Sequence, residues 1–266
     1  MDLANLVVLI RGGGEVASGV AHKLARAHFR VCMTETSKPL AVSRGVAFCE
    51  AIYEGEKGVE GITAKRVESP NQIPEVWRQN KLPIIVDPDA LVKDMIKPAV
   101  LIDALMAKQN LGTKTSDALL VIGLGPGFQA KEDVHIVVET NNSERLGQVI
   151  TSGKAEADTG IPIAVGGLTS ERVLHSPSDG QFLTDKEIGD TVVVGEVVAS
   201  VATQPLKAEI GGIVRALLRN NTVVGKGAKL GEIDPSGDKK ACYTIRPRVR
   251  AIAGGVLEAI LMRFNA

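Results

Sequence analysis

Apolar and polar residues recur along the first 160 residues with the periods of strands and helices. Leu6–Ile10 is an unbroken apolar run closed by glycines, which is typical of a strand buried on both faces of a parallel sheet. Residues 16–25 then place Val, Ala and Leu at helical spacing, and Val31–Thr34 is again short and apolar before Glu35. The pattern predicts strand, glycine turn, helix and strand, a βαβ unit.

Shorter apolar runs continue the alternation of elements. Residues 73–80 and a segment opening at Ala90, with Asp89 as a candidate cap, are predicted to be helical, and residues 36–54 are predicted to form a loop with a short helix and an edge strand near 51–53. Further strands are predicted at 62–67, 83–86, 99–102, 118–122, 134–139 and 146–150.

From about Thr159 the helical spacing is lost, and short β segments separated by glycines predict a small all-β module. Residues 188–198 and 220–230 resemble each other, since each has a turn, a Thr-Val-Val strand, a glycine and a returning strand. The stretch Ser176–Asp234 resembles the barrel-sandwich hybrid of biotinyl and lipoyl domains. Because little chain separates Val201 from Gly212, no lysine-bearing hairpin is expected there, and Lys207 is not predicted to carry biotin or lipoate.

Helical spacing returns from Ile245, with eight apolar positions between Val249 and Phe264 on one stripe. The fold class predicted is α/β, with a Rossmann-like parallel-sheet domain (1–160), an all-β barrel-sandwich-like module (161–245) and a C-terminal helix (246–266). We expect this helix to pack back on the first domain or to form a subunit interface in a homo-oligomer.

Composition narrows the classes of function. The 31 basic and 31 acidic residues balance without a basic run, so neither nucleic acid nor an anionic membrane is expected as a partner. No apolar stretch reaches the ~18 residues that span a bilayer, and the start of the chain has no basic leader, so a cytoplasmic protein is expected. The three cysteines form no C-x-x-C pair, so buried thiols are expected and no metal site is predicted.

The first glycine turn fits a dinucleotide fingerprint. In the pattern Gly12-x-Gly14-x-x-Ala17, with Gly13 between the glycines, small residues let backbone N–H groups approach a pyrophosphate, and Glu35 stands where an acid accepts from a ribose hydroxyl. Alternatively the glycines only permit tight packing of strand and helix. Arg11 is either positioned to reach an anionic group or is a solvated strand end.

Two further features fall at predicted strand ends. Asp87 follows the strand 83–86, and a second glycine loop with Gly123, Gly125 and Gly127 follows the strand 118–122. Two such loops on one sheet edge would flank a common crevice for a nucleotide. The alternative for the second loop is an ordinary tight turn built on Pro126 and Gly127.

The glycine-rich blocks also carry a family resemblance. Segments 10–19, 33–35, 86–88, 121–128 and 251–261 resemble the accessory family of selenium-dependent molybdenum hydroxylases of the YqeB type, over essentially the whole chain. The resemblance implies association with a xanthine dehydrogenase-like molybdenum hydroxylase and a role in maturing its selenium or molybdenum cofactor. A related accessory family, the XdhC type, has a Rossmann domain. The resemblance implies no established catalytic residues.

The sequence therefore leaves three functions. The leading one is maturation of a molybdenum hydroxylase through binding of a nucleotide or pterin pyrophosphate, with NAD(P) or a molybdopterin nucleotide as the ligand. The second is an NAD(P)-dependent oxidoreductase, although the four histidines are isolated and no acid–base pair is placed by a motif. The third is a non-enzymatic protein-interaction scaffold. Whether the protein is an enzyme stays open.

Overall fold

The computed structural model describes residues 3–265, with the side chain of Ala4 excepted. The first two residues and the last, which the domain boundaries above include, lie outside it. The chain divides into two compact units. Unit 1 contains residues 3–39, 47–158 and 245–265, and unit 2 contains residues 40–46 and 159–244. The assignment of 40–46 to unit 2 was not indicated by the sequence pattern.

Unit 1 contains eleven strands and five α-helices among the described residues. The strands are β1 (Val7–Arg11), β2 (Arg30–Glu35), β3 (Glu56–Val59), β4 (Ile62–Val67), β5 (Leu82–Val86), β6 (Val100–Asp103), β7 (Leu120–Leu124), β8 (Gln129–Ala130), β9 (Ile136–Val138), β10 (Val149–Ile150) and β11 (Gly153–Lys154). The helices are α1 (Glu15–Arg26), α2 (Ala51–Glu54), α3 (Ile73–Arg78), α4 (Lys93–Ile96) and α5 (Pro247–Phe264).

A nine-stranded sheet organises unit 1, in the order β10-β9-β7-β6-β1-β2-β5-β4-β3. The strands from β9 to β4 pair in parallel, whereas β10 and β3 pair antiparallel at the two edges. The central strands are buried along nearly their whole length because side chains cover both faces, which explains their continuous apolar runs. The predicted α/β class with a large parallel sheet is confirmed.

Helix α5 belongs to unit 1 and packs against α1. Gly19 of α1 permits the approach, since a Cβ there would come within 2.1 Å of a methyl of Val249. Glu60 anchors the start of α5 by accepting from the Ile245 N–H (2.8 Å) and from Arg250 (2.6 Å). Desolvation raises the pKa of Glu60, but these hydrogen bonds and the Arg250 charge outweigh it, so the net shift is downward.

Burial along α5 refines the predicted stripe. Val249, Ile252, Val256 and Ile260 are buried, whereas Leu257, Leu261 and Phe264 are only half-buried. The helix begins at Pro247, which suits the first helical position because its missing N–H would have no partner there. Among the described residues, none of the helices combines the length and apolar character needed to cross a membrane.

Unit 2 is built from two antiparallel four-stranded sheets, so the predicted change to β-structure after the first domain is confirmed. Their orders are β12-β19-β17-β14 and β16-β15-β13-β18. Both sheets contribute to one core, which includes Phe182, Val201, Val214 and Leu230. The strands are β12 (Val173–His175), β13 (Gly180–Leu183), β14 (Thr191–Val192), β15 (Val197–Val201), β16 (Gln204–Lys207), β17 (Gly212–Leu217), β18 (Val223–Val224) and β19 (Lys229–Asp234).

Four local predictions are corrected by the structure. Residues 51–54 are helical and not an edge strand, and the β module predicted from about Thr159 has no strand in residues 160–164. No helix begins at Ala90, whose φ of +54° is left-handed, and α4 begins only at Lys93. A hairpin does exist between Val201 and Gly212: β15 and β16 are joined by Ala202 and Thr203. Its tip has no lysine, and Lys207 lies at the opposite end of β16.

Candidate functional site

The carboxyl ends of the parallel strands in unit 1 bring most of the predicted site residues to one edge of the sheet. β1 ends at Arg11, β2 at Glu35, β6 at Asp103 and β7 at Leu124, and Asp87 directly follows β5. In open α/β sheets this edge is where ligands bind. The first glycine loop joins the central strand β1 to helix α1 at this edge.

Two glycines of the first loop are required by the packing of the chain itself. Gly12 has φ of +101°, and a Cβ there would lie 3.0 Å from the Ala104 carbonyl oxygen. A Cβ on Gly13 would lie 3.0 Å from the Cβ of Cys49. At these two positions glycine is explained without a ligand.

Gly14 is different, because nothing in the fold requires a glycine there. Its φ of −68° and ψ of −174° are open to any residue, and a Cβ would meet no atom within 4 Å. Gly14 is also the N-cap of α1 and provides no side-chain cap for the first-turn N–H groups of this 12-residue helix. This end of the helix carries the positive end of the helix dipole and favours an anion.

Glu35 holds the loop in place. Its two carboxylate oxygens accept hydrogen bonds from the Gly13 N–H and the Thr36 N–H, both at 2.8 Å. One N–H group that the fingerprint assigns to a pyrophosphate is therefore taken by Glu35. A carboxylate offers about four acceptor positions, so Glu35 retains capacity to accept from hydroxyl groups of a ligand.

Two residues that sequence reasoning did not select complete the loop. The Gly13 carbonyl accepts from the Ser18 hydroxyl (3.0 Å) and from the Cys49 N–H (2.9 Å). The Ser18 oxygen in turn accepts from the Phe48 N–H at 2.7 Å. The available signal was a serine between the apolar positions of the predicted helix at residues 16–25. Together these bonds fix the backbone of Gly13 before any ligand arrives.

Cys49 holds the loop through its backbone N–H, and its thiol is a poor nucleophile. Its side chain is fully buried, and burial raises the pKa of its thiol, with the nearby charge of Glu35 acting in the same direction. Burial likewise raises the pKa of Cys32 to about 12. Because the thiolate is the reactive form, neither thiol is suited to covalent catalysis at neutral pH.

Arg11 is not a solvated strand end, since its guanidinium group is buried and reaches the carboxylate of Asp103 inside the fold. It is 6% exposed, and its Nη1 donates to Asp103 (3.1 Å) and to Thr113. The Thr113 hydroxyl also donates to Asp103, at 2.6 Å, and Asp103 is 2% exposed. The charge of Arg11 is already balanced inside the fold, so we remove it from the ligand site.

Asp87 and Ala17 have local roles. A carboxylate oxygen of Asp87 accepts from the Val92 N–H (2.8 Å) and closes the turn before α4, a role that the sequence assigned to Asp89. The backbone N–H of Asp87 donates to the Glu35 carbonyl (2.9 Å), which places the turn beside β2. Ala17 is fully buried in α1, where a small residue serves helix–strand packing.

The second glycine loop is filled by the chain itself. A Cβ on Gly123 would lie 2.5 Å from the Phe128 ring, one on Gly125 2.4 Å from the Thr140 hydroxyl, and one on Gly127 2.8 Å from the Gln109 nitrogen. Gly125 and Gly127 also have positive φ. This loop is therefore a tightly packed turn, which is the alternative that the sequence left open for it.

The remaining titratable candidates serve the fold. His22 is buried with its Nε2 3.3 Å from the Glu60 carbonyl oxygen, and His135 accepts from the Val121 N–H at 2.9 Å. Burial, aided by the charge of Arg263, lowers the pKa of His135 and favours the neutral ring that this bond requires. Within residues 3–265 no group of three or more His, Cys, Asp or Glu side chains is arranged to hold a metal ion.

A comparison with curated proteins gives a relative by sequence. No family model matches the chain. The chain is 42% identical over 256 residues to the uncharacterized protein YqeB of Escherichia coli K12, a match that covers 96% of this chain and 47% of YqeB. The chain thus spans about half the length of this curated relative. The match supports the resemblance to the YqeB type and carries no information about its role.

Solved structures give only distant likenesses. The ectoine utilization protein EutE (DoeB) from Ruegeria pomeroyi is 12% identical, with 87% of this chain and 86% of that chain covered and a TM-score of 0.27. TcdA (CsdL) is 11% identical, with 99% and 90% covered and a TM-score of 0.33. Scores this low carry no argument about the fold or the function.

Proposed function

We propose that this chain is an accessory protein for the maturation of a selenium-dependent molybdenum hydroxylase, and that it binds a nucleotide or a pterin pyrophosphate at the first glycine loop. The maturation role rests on the YqeB-type resemblance. The ligand class rests on geometry, and one observation carries it: Gly14, at the N-terminus of α1, faces free space where the fold itself requires no glycine.

The sheet order supports a ligand of the dinucleotide class. The strands β5-β2-β1-β6-β7-β9 follow the order 3-2-1-4-5-6 of a Rossmann-type sheet, in which the order reverses at the first strand. The glycine loop follows that strand, and Glu35 ends its neighbour β2. A phosphate at Gly14 and a hydroxyl-bearing group at Glu35 would be held on adjacent strands. Molybdopterin nucleotides and NAD(P) both offer these groups.

A substitution at Gly14 tests the ligand site. Gly14→Val is expected to abolish the binding of ADP, NAD and a molybdopterin nucleotide in calorimetry, because the branched side chain would occupy the space in front of the helix N–H groups. The fold should be retained, since a Cβ at this position meets no atom within 4 Å, and the melting temperature should fall only slightly because valine is a poorer N-cap than glycine.

Gly58→Val is the matched control, because Gly58 on the edge strand β3 also has no atom within 4 Å of its Cβ position. It should bind like the parent. If Gly14→Val binds like the parent too, the ligand site is elsewhere. If the parent binds none of the three ligands, the nucleotide proposal fails and the scaffold function is favoured.

Glu35 is expected to set the preference among dinucleotides. Its carboxylate would repel a 2′-phosphate, so NAD should bind more tightly than NADP by about tenfold or more. Glu35→Gln should narrow the difference by removing the charge while keeping one acceptor for the Gly13 N–H. Calorimetry that gives NADP the higher affinity in the parent would remove Glu35 from the site.

A further inference from the structure

A groove of about 890 Å³ lies at the amino ends of the strands in unit 1, the edge opposite to the glycine loop. Arg30, Ile62 and Leu82, which line it, are the first residues of β2, β4 and β5, and Arg26 ends α1 beside them. The groove therefore shares no lining residue with the nucleotide site proposed above.

The groove is basic in a chain whose formal net charge is zero. Four cations line it, Arg26, Arg30, Arg78 and Lys81, and no aspartate or glutamate does. Arg78 and Lys81 pair with glutamates outside the lining. In the described part of the chain the side chains of Arg26 and Arg30 have no ion-pair or hydrogen-bond partner, and both residues are exposed. These two guanidinium groups are available to carboxylates.

The floor of the groove is apolar. Phe29 and Leu82 are buried there, and Trp77 is half-buried with its indole N–H donating to the Val31 carbonyl at 2.7 Å. Because the indole N–H is engaged in this hydrogen bond, Trp77 offers only its apolar ring surface to a partner. An apolar floor edged by unpaired cations is complementary to a segment that combines acidic and aliphatic side chains.

The basic surface continues beyond the groove. Arg26 also lines a second cavity of about 230 Å³, together with Lys23 and Arg250. The carboxylate of Glu60 accepts from Arg250 and is thereby engaged within the fold. The surface available to a partner therefore extends from the amino ends of the strands along the last turns of α1.

We propose that this groove docks an acidic segment of a partner protein, with carboxylates on Arg26 and Arg30 and an aliphatic side chain on the floor at Trp77. A single-stranded nucleic acid fits less well, because successive bases stack on several aromatic rings. Here Phe29 is 7% exposed, and Trp77 is the single tryptophan of the chain.

The single tryptophan makes the test direct. The full chain is titrated with a synthetic peptide of alternating acidic and leucine residues, and Trp77 fluorescence and calorimetry are followed. Saturable binding that weakens steeply with salt is expected. A peptide with Gln and Asn in place of the acids should bind at least about tenfold more weakly, because the charge pairing is lost.

Arg26→Ala/Arg30→Ala should also weaken binding of the acidic peptide by about tenfold or more. The control Lys38→Ala/Lys154→Ala removes two exposed cations outside the groove and should bind like the parent. Circular dichroism confirms that both double variants are folded. Equal binding of the acidic and neutral peptides, or parent-like binding by the arginine variant, overturns the proposal. So does tighter binding of a single-stranded oligonucleotide than of the peptide.

Discussion

Arg11→Met is expected to lower the free energy of unfolding of unit 1 by about 3–5 kcal/mol, because removal of one partner leaves the other as an uncompensated buried charge. That partner is Asp103, which is 2% exposed and would keep only the Thr113 hydroxyl and the Leu105 N–H as donors. Urea unfolding followed by Trp77 fluorescence measures the change, since Trp77 lies in unit 1.

The matched variant is Arg11→Met/Asp103→Asn. The asparagine keeps an acceptor for Thr113 and removes the charge, so the double variant should recover most of the loss. If Arg11→Met alone costs less than about 1 kcal/mol, the ion pair contributes no more than an exposed pair does. Arg11 would then return as a candidate ligand for an anion.

The same pair shows where sequence reasoning stops. The βαβ unit at residues 6–35 was predictable because unbroken apolar runs and helical spacing are local patterns. The partner of Arg11 is 92 residues away along the chain. No local pattern in the sequence connects Arg11 with Asp103. The sequence therefore allowed either a solvated strand end or a residue that binds an anionic ligand, and the structure shows a buried ion pair within the fold.

The two glycine loops also differ in a way that the sequence does not predict. Both follow a buried strand, and the sequence interprets them alike. The difference comes from chain that arrives from elsewhere, since Gln109 and Thr140 fill the space at Gly127 and Gly125 while nothing approaches Gly14. The sequence shows where the glycines lie along the chain. Only the packing decides whether a given glycine accommodates the protein or a ligand.

The division of the chain into two units could also be predicted only in part from the sequence. The change of pattern near Thr159 predicts the β module, because the loss of helical spacing is visible in one stretch. Residues 40–46 join that module through long-range bonds, such as the Arg44 Nε to the Leu217 carbonyl at 2.7 Å and the Leu217 N–H to the Val42 carbonyl at 2.8 Å. A segment of only seven residues inside the first domain is too short to give a periodic signal of such pairing.

Helix α5 offers two neighbouring glycines for which the same substitution should have opposite effects. Gly255→Ala places a Cβ 2.0 Å from the Gly147 carbonyl oxygen, a backbone atom that no rotamer change can move. Gly254→Ala meets no atom within 4 Å. Crowding at Gly255 should cost about 1–3 kcal/mol, whereas Gly254→Ala should stabilise the helix by about 0.5–1 kcal/mol.

The pair isolates packing because both variants change the unfolded chain and the helix propensity alike. We expect their free energies of unfolding to differ by the crowding cost alone, about 1–3 kcal/mol in urea titrations, with the Gly254→Ala variant the more stable. The close approach is built from both sides, since a Cβ on Gly147 would itself lie 2.7 Å from the Ala251 carbonyl oxygen. Equal stability of the two variants would show that α5 has room to shift, and that its docking does not depend on the contact of Gly255 with Gly147.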